Sequence, residues 1–326
     1  MKNSAKIASD TTWTITDGKA GMVSQALGLA EAVGLPVIEK TIRPAAPWKW
    51  LPPGTWPAGA SGAGRGSDPL VAPLPRLVIS CGRHSIRPAF WVKNQSEGRT
   101  FAVHIQHPRI NPARFDLVVA PEHDRLTGPN VIPIRGSLHR VNRQRLDAAA
   151  ARIAPSLADL PRPLVAVLIG GTNSVYTLTD RVVARLADDL SALCKQSGAG
   201  LMVTPSRRTG KVAERQLRER LAGEPAVMWD GTGENPYLGY LGLADAIVVT
   251  CDSVNMVSEA CATGKPVYIV ELEGRKHSKF RDFREMLTTM GIVRRFDGVL
   301  DRWSYDPLDE TARIAKEIRL RMGLSP

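Results

Sequence analysis

Residues 245–270 read Asp245-Ala-Ile-Val-Val-Thr-Cys-Asp252-Ser253-Val-Asn255-Met256-Val-Ser258-Glu259-Ala-Cys-Ala-Thr-Gly264-Lys265-Pro266-Val-Tyr-Ile-Val270. Ala246 to Thr250 is a short apolar run rich in β-branched residues, the pattern of a strand buried on both faces. Asp252 or Ser253 is placed to cap a helix from about Asn255 to Ala262. Gly264 closes that helix in a left-handed conformation and Pro266 stops its continuation. Val267 to Val270 is then the next buried strand. The order strand, polar turn, helix, strand is that of an open α/β sheet, which binds ligands beyond its strands' C-terminal ends. Asp252, Ser253 and several backbone N–H groups collect at the helix N-terminus, where an anion is favoured. Glu259, on the same helix, is placed to meet the hydroxyls of a ribose whose phosphates sit there.

The structural alternative is an ordinary capped helix, since Ser and Asp start helices after strands in proteins that bind nothing there. Two features favour a ligand. Glu259 is a charge on a helix otherwise small and apolar, and the Gly264-Lys265-Pro266 turn repeats a known pattern. With its Ser-bearing turn and following Glu, the segment resembles the donor-nucleotide half-site of GT-B glycosyltransferases.

At 326 residues the chain is long enough for two domains, each with its own core. Its 43% hydrophobic and 23% charged content is that of a globular protein. Cys81, Cys194, Cys251 and Cys261 are scattered, without zinc spacing, as expected of buried free thiols in a reducing compartment. No apolar signal core follows Met1 and no run is long enough to span a bilayer. A cytoplasmic protein is expected, and a peripheral place on the inner membrane is the alternative. The net charge of +11 suits an anionic partner: nucleotide phosphates, an anionic membrane surface or nucleic acid. No nucleic-acid motif supports the last, so no nucleic-acid partner is expected.

In chain order, a β-rich run over Thr12–Thr16 leads into Asp17-Gly18-Lys19-Ala20-Gly21, then a helix from Met22 to Val33 and a strand from Val37. This βαβ opening has neither G-x-G-x-x-G nor G-x-x-x-x-G-K-[ST]. Gly18 and Gly21 either make a tight turn or let a substrate approach the backbone, with Asp17 or Lys19 meeting it. The region 44–75 reads as a flexible insertion, with Trp48, Trp50 and Trp56 in its first part and a Gly/Ala/Ser-rich second part. The tryptophans either fold back onto the domain or form an interfacial patch for anionic lipid. Strands follow at Leu77, Phe101, Asp116 and Val131, with Cys81-Gly82-Arg83-His84 and His107-Pro108 just past two strand ends. His104, inside a strand, reads as a core histidine, and the histidine spacing predicts no metal site.

A helix over about Arg143–Ile153 and the prolines at 161 and 163 place a domain boundary near residue 160. The second half opens with an apolar strand running into Gly170-Gly171-Thr172-Asn173. Thr179 caps the next helix. A strand at Leu201 ends in Ser206-Arg207-Arg208-Thr209-Gly210-Lys211, which reads as a phosphate-binding loop or as a surface charge run. A last helix covers about Leu308–Arg321.

These stretches together resemble the mitochondrial fission ELM-like family over nearly the whole chain. The resemblance is carried by Thr16-Asp17-Gly18-Lys19-Ala20-Gly21 with Gln25, Ser80-Cys81-Gly82-Arg83, Ile105-Gln106-His107-Pro108, Gly170-Gly171-Thr172-Asn173, Thr204 with Ser206-Arg207-Arg208-Thr209, and Thr250 with Asp252, Ser253, Met256, Glu259 and Ala260. It implies a GT-B-like α/β fold: two Rossmann-like domains, 1–160 and 161–326, facing across a cleft, with the C-terminal helix crossing back. Plant members look like recruiters of a dynamin-related protein to mitochondria. Bacterial members are often labelled sugar epimerases. The missing dinucleotide fingerprint and the absence of a Tyr-x-x-x-Lys pair argue against an NAD-dependent epimerase. A weaker resemblance to the peptidoglycan N-acetylglucosaminyltransferase is confined to the fold and the Ser253–Glu259 turn. Beyond Val270 its glutamine pair is replaced by Glu271, Glu273 and Arg275.

Two functions are therefore expected. One is a metal-independent glycosyltransferase with no cofactor, taking a nucleoside diphosphate-sugar as substrate. Gly170, Gly171, Thr172, Asn173, Ser206, Arg207, Arg208, Thr209, Asp252, Ser253, Asn255, Met256 and Glu259 would bind the donor nucleotide. Asp17 or His107 would be the general base, with Gly18, Lys19, Gly21 and Arg83 on the acceptor side. The other is a non-catalytic recruiting protein that keeps the fold.

Overall fold

The computed structural model describes residues 7–56, 62–274 and 279–324. The chain divides into two compact units, Met1–Arg140 with Asp309–Pro326, and Val141–Leu308.

The first unit contains β1 (Ile7–Thr16), α1 (Ala20–Val33), β2 (Val37–Thr41), β3 (Leu74–Cys81), α2 (Ile86–Gln95), β4 (Phe101–Ile105), β5 (Leu117–Pro121), β6 (Val131–Ile134) and the C-terminal helix Glu310–Arg321. Its six strands are parallel in the order β2-β1-β3-β4-β5-β6. The order reverses between β1 and β3, so the loops after these two strands flank the switch point. The C-terminal helix buries Ile314, Ala315 and Ile318 in the same core cluster as Ala26, Ala30 and Val33 of α1. Arg319 Nη1 donates to Val33 O at 2.6 Å, a cation on the last carbonyls of α1.

The second unit contains α3 (Arg143–Ile153), β7 (Leu164–Ile169), β8 (Tyr176–Thr177), α4 (Asp180–Ser197), β9 (Gly200–Pro205), α5 (Lys211–Arg220), β10 (Ala226–Met228), α6 (Tyr237–Leu243), β11 (Ala246–Thr250), α7 (Val254–Cys261), β12 (Val267–Val270), β13 (Glu273–Gly274), α8 (Lys279–Thr289) and β14 (Val293–Arg295). Six strands are again parallel, in the order β10-β9-β7-β11-β12-β14, and β8 pairs antiparallel with β13. Here the switch point lies between β7 and β11. Every residue of β7 is buried: Val165, Val167 and Ile169 enter one core cluster, Leu164, Ala166 and Leu168 the other. Covering both faces of the sheet is what makes its strands read as continuous apolar runs.

The unit boundary differs from the one expected near residue 160. α3 belongs to the second unit because it packs on α6 at two glycines. A Cβ on Gly239 would lie 2.3 Å from Ile153 Cδ1, and one on Gly242 would lie 2.6 Å from Leu146 O. A helix seated that closely cannot leave with the preceding domain.

The insertion over 44–75 is also corrected. Residues 57–61, inside its Gly/Ala/Ser-rich part, lie outside the described residues. The remainder is tied down. Pro44 bridges to Ala63, Gly64 N donates to Arg43 O at 2.6 Å, and Leu70 is buried in the core. Trp56 is buried and its Nε1 donates to Trp48 O at 2.9 Å, while Arg87 Nη2 donates to Trp56 O at 2.6 Å. Trp56 therefore folds back, Trp48 is half-buried, and Trp50 is 69% exposed.

His104 is a core histidine as expected. It is fully buried, its Nδ1 lies 2.8 Å from Ser80 Oγ, and its ring stacks on Phe115. Among the described residues no helix is long and apolar enough to cross a membrane, and no group of three His, Cys, Asp or Glu could hold a metal ion.

Candidate functional site

Three loops converge at the switch point of the second unit, those after β7, β9 and β11, and Asp252 joins them. Its carboxylate is fully buried. Oδ1 accepts from Thr250 Oγ1 at 2.6 Å, and Oδ2 accepts from Gly171 N at 3.0 Å and Arg208 Nη2 at 2.5 Å. Thr250 Oγ1 also accepts from Gly170 N at 2.7 Å. From the β9 loop, Ser206 Oγ donates to Gly170 O at 2.8 Å and Thr209 Oγ1 lies 2.5 Å from the same oxygen. Asn173 Nδ2 donates to Asp252 O at 3.0 Å, while its Oδ1 accepts from Val175 N and Tyr176 N. Thr172 Oγ1 accepts from Leu178 N. A buried carboxylate persists only when paired and hydrogen-bonded, and here it ties two switch-point strands together. Asp252 is thus an internal anchor with no oxygen turned to solvent, which corrects its expected place among ligand-contacting side chains.

The next residues carry out what their sequence suggests. Ser253 caps α7, accepting from Met256 N at 3.3 Å. Asn255 and Met256 are half-buried in the first turn of α7, where helix amides lack intrahelical carbonyl partners. Arg207 is exposed on the loop. Glu259 is half-buried, and Tyr237 OH donates to its Oε2 at 2.6 Å. Burial, with the charge of Glu259 added, holds the Tyr237 phenol well above its usual range, so it stays a donor. Sequence reading passed over Tyr237 because nothing in a loop-to-helix junction marks a tyrosine for a partner 22 residues on.

Arg208→Ala should cost about 2 to 4 kcal/mol, because it leaves the Asp252 carboxylate buried with one cation fewer. The half-exposed position of the guanidinium, 44% by side chain, keeps the figure from being larger. Arg207→Ala should cost less than about 0.5 kcal/mol. Urea unfolding of the two variants makes the comparison. Equal small costs would show that Asp252 does not depend on Arg208.

A second cluster forms at the switch point of the first unit. Asp17 Oδ2 lies 2.6 Å from Lys19 Nζ and 3.0 Å from His84 Nδ1. His84 Nε2 accepts from Arg83 Nε at 3.1 Å, and Arg83 Nη2 donates to Lys49 O at 2.5 Å. Trp56 stacks on the His84 ring, with centroids 6.2 Å apart. Burial acts to raise the Asp17 pKa, but the hydrogen bonds from Lys19 and His84 outweigh it and the net shift is downward from 3.8. Gly18 and Gly21 lie in the loop and first helical turn beside Asp17. His107 is exposed, and its Nδ1 accepts from Arg109 N at 2.9 Å. A neutral His107 therefore carries its proton on Nε2, which leaves no basic ring nitrogen turned outward. The sequence placed His84 just past a strand end but gave it no role, because its partner Asp17 follows β1, which only the assembled sheet sets beside β3.

The chain matches the family model described as Mitochondrial fission ELM1 over residues 20–322. It is 36% identical over 278 residues to the Mitochondrial fission protein ELM1 of Arabidopsis thaliana, a match covering 76% of this chain and 64% of that protein. Among solved structures it is similar to a putative UDP-N-acetylglucosamine 2-epimerase from Listeria monocytogenes, with TM-score 0.59, 10% identity and 97% of each chain covered. The UDP-GlcNAc 2-epimerase from Methanocaldococcus jannaschii gives TM-score 0.57 and 11% identity over 95% of this chain and 99% of that one. At such identities the structural likeness concerns the fold, and it agrees with the GT-B-like class expected from sequence. The motif set around the two switch points and a family match running from the start of α1 to the end of the C-terminal helix lead to the same result: the chain belongs to the mitochondrial fission ELM1 family.

Proposed function

We propose that the second unit binds the nucleoside diphosphate of a nucleotide-sugar at its β7/β11 switch point, and that the protein is a glycosyltransferase. The observation that carries this reading is the convergence of the Gly170-Gly171, Ser206–Thr209 and Asp252-Ser253 loops at the first turn of α7. Amides at a helix N-terminus and the exposed Arg207 are suited to a diphosphate. Glu259, one turn further, keeps acceptor capacity for ribose hydroxyls beside its bond from Tyr237. The nucleotide-sugar in the names of the structurally similar epimerases supports the same ligand class.

In transfer, the bond from the anomeric carbon to the diphosphate oxygen breaks and a bond to an acceptor hydroxyl oxygen forms. The diphosphate leaves with the electron pair, stabilised by fixed dipoles and Arg207. The acceptor hydroxyl's proton passes to a general base. In the first unit, taken by itself, Asp17 is placed to hold His84 as the Nδ1–H tautomer, which leaves Nε2 able to take a proton once Arg83 Nε releases it.

A thermal melt with a panel of nucleoside diphosphates tests the binding step. A ligand at a hundred times its dissociation constant should add about 2.7 kcal/mol to native stability. Glu259→Ala and Arg207→Ala should each reduce that gain, measured against the variant's own unliganded melt. Arg207→Ala should spare binding of the free nucleoside. If no diphosphate shifts the wild-type melt, the recruiting-protein reading takes precedence.

A further inference from the structure

The turn over residues 46–51 lies in the first unit beside the Asp17–His84 cluster, and its backbone is tied down. Ala45 N donates to Gly62 O at 3.0 Å, Lys49 N to Ala45 O at 3.1 Å and Trp50 N to Pro47 O at 3.1 Å. Lys49 O accepts from Arg83 Nη2 at 2.5 Å. The buried Trp56 donates from Nε1 to Trp48 O at 2.9 Å and is itself held by Arg87. Backbone groups met in this way fix the shape of the turn. Its largest apolar side chain nonetheless points away from the core. Trp50 is 69% exposed, and Ala46, Pro47, Leu51 and Pro52 around it are exposed as well. Single exposed apolar residues are common, but a run of them on an anchored turn marks a contact surface.

The charge around this turn has one sign. From Ile42 to Ser96 the sequence holds seven Lys and Arg and one acidic residue, Asp68. Arg76 pairs with Asp10 and Lys93 with Asp116. Among the described residues the other five, Arg43, Lys49, Arg65, Arg83 and Arg87, have no carboxylate within ion-pair distance. Asp17 is taken up by Lys19 and His84, and Asp68 accepts from Thr41 N. Arg83 and Arg87 are spent on carbonyls of the segment, whereas Arg43, Lys49 and Arg65 are exposed. The bridge from Pro44 to Ala63 sets Arg43 and Arg65 together at the base of the turn. An exposed indole beside exposed cations fits a membrane interface, where the ring sits at headgroup level and the cations meet anionic lipid. A run of five residues falls short of the about 800 Å² that each partner buries in a stable protein complex. Interfacial binding needs only a shallow apolar insertion joined to basic charge.

We propose that this turn docks on an anionic bilayer, with Trp50 and Leu51 entering the interface and Arg43, Lys49 and Arg65 meeting the headgroups. Docking there holds the Asp17–His84 cluster, joined to the turn through Arg83 and Lys49 O, at the membrane surface. The proposal stands apart from the nucleotide-binding reading. Co-sedimentation of the full chain with vesicles of phosphatidylglycerol in phosphatidylcholine, against phosphatidylcholine alone, tests it. The wild type should bind the anionic vesicles, with a blue shift of its tryptophan emission, and should bind less in high salt. A net charge of +11 by itself draws the chain to such vesicles, so the decisive comparison keeps charge constant. Trp50→Gln with Leu51→Gln should lower vesicle affinity about tenfold or more, the scale of burying one large apolar side chain, and should leave the vesicle-free melt unchanged. Leu320→Gln, at a position 74% exposed on the C-terminal helix of the same unit, should bind as the wild type does. Lys49→Gln with Arg65→Gln should weaken binding and flatten its salt dependence. Wild-type affinity in the Trp50 and Leu51 variant would reduce the attraction to net charge and overturn the docking. No binding to anionic vesicles would overturn it as well. So would a concentration-dependent dimer abolished by the Trp50 and Leu51 changes, which would assign the turn to a second copy of the chain.

Discussion

Gly171→Ala should destabilise the second unit by more than about 4 kcal/mol, the range reached only when backbone or core geometry is broken. Gly171 has φ +154°, and a Cβ there would lie 2.0 Å from Arg208 O and 2.2 Å from Arg208 C. Those atoms are backbone and cannot swing aside. The loop that carries them is pinned by Ser206 and Thr209 to Gly170 O, and Arg208 is pinned to Asp252. Relieving the clash would pull the β7 and β9 loops apart and expose the Asp252 carboxylate, so several bonds would fail together. Gly170→Ala meets the same anchor from the other side, with its Cβ 2.1 Å from Asp252 Oδ1. Gly223→Ala is the control: its added Cβ meets nothing within 4 Å, and its cost should stay within about 0.5 kcal/mol. Urea unfolding followed by far-ultraviolet circular dichroism reads all three. A wild-type midpoint for Gly171→Ala would mean that the two loops do not approach as described.

The second large effect is a loss of stability on mild acidification, centred on His104. Burial, with a smaller contribution from His107, lowers its pKa from 6.5 to about 3. As pH falls through 6.5 the unfolded chain takes up a proton on this ring, while the folded chain does not until about pH 3. The unfolded state thus binds more protons in that window, and stability rises with pH across it. The contribution is fully present above pH 6.5 and is lost progressively below it. The loss follows about 1.4 kcal/mol per pH unit, or about 2 kcal/mol at pH 5. His104→Gln keeps an amide for Ser80 and does not titrate. It should be less stable than wild type at pH 8, and the gap should narrow by about 2 kcal/mol at pH 5. The carboxylate of Asp17, held below 3.8, releases its stabilisation only at lower pH and does not blur the window. Parallel curves for the two proteins from pH 8 to pH 5 would show that His104 is not the group responsible.

The sequence alone determined the order and type of nearly every element, because the inner strands, such as β7, β11 and β12, are covered on both faces and read as unbroken apolar runs. Ala246–Thr250, Val267–Val270 and Val131–Ile134 form strands with the boundaries their residues suggest. Ser253 and Thr179 cap the helices they precede, since a hydroxyl reaching its own first turn is a local interaction. The sequence likewise located the loops that matter, because ligand positions in open α/β sheets follow strand ends. Tertiary structure alone decided what those loops' side chains do. Asp252 is an anchor only because Gly171, 81 residues away, offers its amide across the sheet. Asp17 is tied to His84, 67 residues on, because β1 and β3 are neighbours while β2 lies outside them. α3 belongs to the second unit because Gly239 and Gly242 of α6 leave room for it. Helical period, capping and apolar runs are written within a few residues, whereas a buried carboxylate's partners depend on which strands end side by side, and that strand order was set only when the whole sheet assembled.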